Sequence, residues 1–238
     1  MKQWILIGLA LLYTQLLVAQ TPDDDFTKAY RAAIALKIAP LSLVDIDPTV
    51  QGGLEVFTKD GFHGWHTELG YAPKSYYSAF WGDNSTRTQE TWRIRTEWRS
   101  YSRGFSARTG SYPYQAFELL FKYVEQPRER EIGRQCTDFN CNYFERISFN
   151  RTKTVLGLSI KWGKQRVFDN GFLLDWYVGV GLRYVGIRES NVPADERSWL
   201  LNNGYHFDFE RKVGDYAAPQ VNLGLKIGYL FIKKIGTI

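Results

Sequence analysis

Beyond residue 20 the chain has no apolar run near the ~18 residues that a transmembrane helix needs. A helical membrane protein is therefore excluded, and the chain crosses a membrane as a β-barrel or not at all. Histidine is scarce, with 3 in 238 residues (His63, His66 and His206), and neither GxSxG nor HExxH occurs. Little is left for His-dependent hydrolysis, and no catalytic residue, cofactor or metal site is expected. The 2 cysteines, Cys136 and Cys141, sit in CTDFNC with no histidine near them, which disfavours zinc. The net charge of +5 is modest, and there is no RGG tract, zinc spacing or RNP-like strand. Nucleic acid is not an expected partner.

What is present begins with a sorting signal. Lys2 supplies a positive start, Trp4 to Tyr13 is apolar, Leu16 to Ala19 resumes the run, and Ala19 offers a small residue for cleavage. Residues 1–20 read as a signal peptide; the alternative is a buried N-terminal helix. Residues 21–27, with the acidic run Asp23 to Asp25, would form a short periplasmic segment. Export implies an oxidising compartment, where Cys136 and Cys141 can form a disulfide across a small loop.

Aromatics make up 16% of the chain, including 8 Trp and 15 Tyr, and they fall in alternating segments. In 220–231, Val221, Leu223, Leu225, Ile227, Tyr229 and Phe231 form one face. Gln220, Asn222, Gly224, Lys226, Gly228 and Leu230, with one apolar residue among them, lie on the other. As a helix, this segment would carry interior glycines at roughly 1 kcal/mol each; as a membrane strand it alternates as required. Segment 172–185 repeats the pattern, with aromatics at both ends of its apolar face. Six weaker segments run through Tyr30 to Ile38, Val50 to Val56, Trp65 to Tyr71, Trp92 to Arg99, Phe117 to Tyr123 and Leu156 to Trp162. The expected fold is all-β: a closed antiparallel up-and-down transmembrane β-barrel of about eight strands over 28–232, with 233–238 as a tail.

Connections sort by length. Lys59-Asp60-Gly61 and Phe168 to Gly171 are short turns, whereas 73–86, 126–143 and 188–217 read as long polar outer loops. Two connections fit less well: Asp45 to Pro48 is short for an outer loop, and Ser102 to Pro113 is long for a periplasmic turn.

The stretches IALKIAPLSL, QGGLEVF, TWRIRTEWRSYSRG and NLGLKIGYLF resemble the Bacteroidota-type outer-membrane β-barrel family of unknown function. Its pattern falls on Lys37, Pro40, Glu55, Arg95, Glu97, Arg99 and Tyr101. The resemblance implies a fold and an outer-membrane location, and no reaction. Pro219 to Phe231 is similar to the signal read by barrel assembly machinery, although Ile232 to Ile238 follow it.

With the polar faces inward, the lumen collects Arg31, Lys37, Arg93, Arg95, Arg99, Lys122, Lys161, Arg183 and Lys226. Glu55, Glu68, Glu97, Glu118 and Asp175 share it, with His66. An eight-stranded barrel is just wide enough for its side chains to fill, so these charges must pair. A salt-bridged plug is the expected interior. The excess of bases leaves a narrow anion-preferring path as an alternative. The inverse, a lipocalin-like soluble barrel, would have to enclose Trp65, Trp92, Trp98, Trp162, Phe172 and Trp176. The expected role is structural or interactive, among outer-membrane lipids and alongside another outer-membrane protein met through the outer loops. An enzyme acting on lipid or peptide at the rim is the other class, for which the acidic loop holding His206 would be the place.

Overall fold

The computed structural model describes residues 33–45, 47–58, 61–74, 89–102, 110–137, 140–190 and 213–232. The expected signal peptide (1–20), the segment 21–27, the tail 233–238 and Arg31 lie outside the described residues. So do His206 and most of the expected loops 73–86 and 188–217.

The described residues form an all-β, antiparallel structure that closes on itself. Its eight strands are β1 (Ala33–Ile38), β2 (Val50–Phe57), β3 (His63–Ala72), β4 (Glu90–Tyr101), β5 (Gly110–Thr137), β6 (Asn140–Val167), β7 (Phe172–Ser190) and β8 (Gly214–Ile232). Each pairs with its neighbours in sequence, and β1 pairs with β8 from Ala33↔Ile232 to Ile38↔Ile227 to close the ring. Along these rows, closure leaves the barrel wall no free edge. A short 3₁₀ turn, Pro40–Val44, lies between β1 and β2.

One end of the barrel carries tight turns. Gly171, at φ 82, lets Phe168 accept its N–H at 3.0 Å and closes β6 onto β7. Gly61, at φ 70, does the same for β2 and β3. At the opposite end the β3–β4 connection (73–89) and the β7–β8 connection (191–213) are long, while only residues 138 and 139 separate β5 from β6.

Two sequence expectations change here. Residues 126–143 are no loop: β5 and β6 stay paired as far as Thr137↔Asn140. Pairing of β5 to β4 stops at Glu90↔Glu125, and that of β6 to β7 at Asn150↔Ser190. Beyond those points the hairpin is a two-stranded ribbon standing clear of the barrel. Neither face of such a ribbon has a lipid or core side, so its sequence does not alternate and reads as a loop. The second change is at Ser102 to Pro113, where β5 already begins at Gly110, so Tyr112 and Tyr114 are strand residues pointing inward.

The wall has an inverted polarity. Leu36, Leu119, Leu158, Ile160, Val180 and Leu182 are exposed on the outer face, and Val221 and Leu223 are 78% and 77% exposed. Aromatic pairs border this belt. At the turn end, Trp65 and Trp98 meet edge-on at 4.7 Å, and Tyr229 meets Phe231 at 5.2 Å. At the other end, Tyr71 and Trp92 lie 4.4 Å apart, with Tyr123 next in the same cross-strand row.

Inside, the turn end is sealed by Phe57, Tyr101, Tyr112, Val167, Leu173 and Leu230. Above this apolar floor the interior is charged. Two glycines make room for it. Gly163 pairs with Tyr114 and Gly224 with Tyr177, and in each case a Cβ would run into the tyrosine ring. The rings lie flat across the glycines and act as inner shelves for the charges.

Candidate functional site

Alternation along each strand decides which charges enter the lumen. Lys37, Glu55, His66, Glu68, Arg93, Arg95, Glu97, Arg99, Glu118, Lys122, Lys161, Asp175 and Lys226 all lie inside, most of them fully buried. Arg183 is on the inward side of β7 but exposed, at the mouth, and makes no ion pair among the described residues.

The central layer is built around Arg99. Its Nη2 and Nε donate to Glu97 Oε2 at 2.5 and 2.8 Å, and its Nη1 donates to Asp175 Oδ2 at 2.7 Å. Lys37 donates to Asp175 Oδ2 at 2.9 Å and pairs with Glu55. Lys161 and Lys226 donate to Glu97 Oε1 at 2.8 and 2.9 Å and also pair with Glu118 and Glu68, respectively. Arg95 approaches Glu118 at 3.8 Å and donates to Tyr177 Oη at 3.2 Å.

Tyrosines complete the layer. Tyr101 donates to Glu55 at 2.5 Å and Tyr114 to Asp175 at 2.7 Å. The guanidinium of Arg99 lies 4.4 Å from the Tyr114 ring centre, and Lys161 Nζ lies 4.0 Å from that of Tyr177, both cation–π distances. Five bases (Lys37, Arg95, Arg99, Lys161, Lys226) thus face five carboxylates (Glu55, Glu68, Glu97, Glu118, Asp175). All eight strands supply at least one of the ten. Such balance is what burial of charge demands, since an unmatched ion there costs several kcal/mol.

His66, Glu68 and Glu97 bring ligand-type atoms within 4.8 Å of one another. Lys226 and Arg99 reach the same site, at 3.3 and 3.5 Å from His66 Nδ1. A divalent ion would therefore sit beside two cations already serving those carboxylates. The surroundings of His66 are charged groups, with no hydroxyl nucleophile bonded to it among the described residues. This is the geometry of a polar network.

The excess of bases seen in the sequence is partly answered by two residues that sequence reasoning missed. Asp45 and Asp47, from the short connection after the 3₁₀ turn, reach into the mouth. Arg93 donates to Asp45 at 2.6 Å and to the Asp47 carbonyl at 2.9 Å. Lys122 and Lys153 donate to Asp47 at 3.0 and 2.9 Å. Burial opposes ionisation of both aspartates, yet Lys122, with Lys153 at Asp47 and Arg93 at Asp45, holds them below the usual carboxylate range. Beside them lies a cavity of about 360 Å³ reached by Arg93, Arg95, Lys122 and Arg183.

In three comparisons the chain matches no family model, no curated protein and no solved structure. The backbone register sets Cys136 opposite Cys141 near the ribbon tip; their side chains lie outside the described residues.

Proposed function

We propose that the chain is a small outer-membrane β-barrel of the Bacteroidota type it resembles, exported by residues 1–20. Its lumen is closed by the charge network, and its role is structural or interactive. The observation that carries this reading is the inverted polarity: neutralised charges inside, an aliphatic belt outside, aromatics at both margins. From Phe172 to Tyr184, β7 runs roughly 40 Å at strand rise. Tilted near 40°, that is about 30 Å of height, close to the ~25 Å apolar band of membrane barrels. The long β3–β4 and β7–β8 connections on one end and the short turns at 58–62 and 168–171 on the other agree with the topology of such barrels. Pro219 to Phe231, within the closing strand, is the segment that assembly machinery would read. A disulfide between Cys136 and Cys141 would staple the ribbon tip, and mass spectrometry before and after reduction tests it.

The stacked floor and charged layers disfavour the narrow anion channel; the acidic loop holding His206, where the rim enzyme would act, lies outside the described residues. The membrane assignment is tested by refolding in detergent. The folded protein should migrate differently on gels with and without heating, and solubility without detergent would refute it. Planar-bilayer recording should give no reproducible open level.

A further inference from the structure

The seam between the first and last strands does not run the full height of the wall. β1 pairs with β8 only from Ala33↔Ile232 to Ile38↔Ile227, whereas β8 and β7 stay paired as far as Ile187↔Gly214. Above Ile227, β8 therefore has a strand on one side only. No described backbone group bonds its other edge from Pro219 to Lys226. Pro219, which lacks an N–H, suits such an edge position. The 3₁₀ turn Pro40–Val44 stands against β8 where β1 has ended. The cavity of about 360 Å³ lies between the two. Its lining includes Gln220, Asn222 and Gly224, which point inward, and also Val221, Leu223 and Leu225, which point outward. A space that touches both faces of one strand passes round its edge, so the cavity opens sideways through the wall.

This window sits at the height of the apolar belt, because Val221 shares its cross-strand row with Val180 and Ile160. Its outer sill is apolar. Val221 and Leu223 are the most exposed large apolar residues described, for want of a strand beside them, while Ile227, where β1 adjoins, is half-buried. Leu41 and Val44 of the turn are exposed on the facing side. The inner end of the lining is polar, with Arg93, Lys122, Asn222 and, at the mouth, Arg183. Water alone would wet the sill. Hydrocarbon alone would leave the edge N–H and C=O groups of β8 unmet, which a bilayer does not tolerate. An amphiphile answers both demands. We propose that the window holds the acyl chain of a single-chain lipid, with the chain over Leu41, Val44, Val221 and Leu223 and the polar head turned into the mouth. The bilayer as the source of that lipid rests on the membrane reading; the window itself does not.

The test adds palmitic acid carrying a photoreactive diazirine on its chain to the full-length protein, in detergent or, if the protein proves soluble, in plain buffer. Crosslinked positions are mapped by mass spectrometry of peptides. Labelling should concentrate in 39–45 and 219–225 and be displaced by excess unlabelled palmitate. Lipid that merely coats the belt would label Leu119 and Leu158 as densely and resist displacement, and that result overturns the proposal. Displaceable labelling of the same two segments in plain buffer upholds the site and refutes the membrane reading alone. Leu41→Ser combined with Leu223→Ser, both at exposed positions, should cut displaceable labelling roughly tenfold through lost apolar contact, with folding checked by circular dichroism. Leu41→Ser alone, outside the wall strands, serves should the pair fail to fold. Leu119→Ser, three strands away, should change nothing. Labelling that Leu41→Ser and the pair both leave unchanged overturns the proposal as well.

Discussion

Replacing Arg99 by methionine removes the centre of the buried network while keeping an unbranched side chain of similar reach. Three carboxylates lose a partner: Glu97, Asp175 and Glu55. None is stranded, because Lys161 and Lys226 remain on Glu97 and Lys37 remains on Asp175 and Glu55. The layer is nevertheless left with one uncompensated negative charge in a fully buried setting. Breaking a buried pair from one side costs about 3–5 kcal/mol, and the surviving lysines place Arg99→Met toward the lower half of that range. Adding Glu97→Gln restores the balance, so the double variant should be more stable than the single one by about 1–3 kcal/mol. The assay is urea unfolding of the refolded protein in detergent, followed by tryptophan fluorescence and extrapolated linearly. A loss below about 1 kcal/mol for Arg99→Met, the value of an exposed pair, would refute the reasoning. So would a double variant less stable than either single change.

Other outcomes follow from the geometry. Gly163→Val should cost about 1–3 kcal/mol by overpacking against Tyr114, read as a lower urea midpoint. Leu158→Arg, at mid-belt on the outer face, should cost about 2–4 kcal/mol in lipid vesicles if that face meets hydrocarbon; an unchanged midpoint would argue against lipid contact. Asp47 has a folded pKa below its ordinary 3.8, so its share of stability is complete above that value and fades as pH falls through the lower folded pKa. Asp47→Asn should therefore flatten the acid limb of a stability–pH profile below about pH 4 and leave the rest of its shape intact.

Much of the barrel can be read from alternation alone, because a wall with lipid or solvent on one side and charge on the other repeats every two residues. Lys37, Glu55, Glu97, Arg99 and Asp175 are legible as inward residues for that reason. Depth is not. Arg183 and Lys161 share the inward side of their strands, yet one lies at the open mouth and the other in the sealed centre, since direction follows from parity and burial from the loops above. Asp45 and Asp47 were hidden because nothing in a short connection says that it folds back into the lumen. The excess of bases was the one signal that acids had to come from somewhere. The inner tyrosines were hidden differently: Tyr112 and Tyr114 flank Pro113, which reads as a turn.

The distribution of the central charges has a consequence for biogenesis. Since every strand carries a net charge within the ten, no seven-strand sheet is electrically neutral inside. A seven-strand intermediate lacking β8 would carry an unanswered carboxylate for want of Lys226, and one lacking β1 would miss Lys37. Ring closure and charge cancellation then become one event, in which the last strand to dock completes the set. If the barrel spans a membrane as proposed, a seven-strand sheet would face a penalty for entering hydrocarbon that the finished barrel does not, and the interior would act as a checkpoint on assembly.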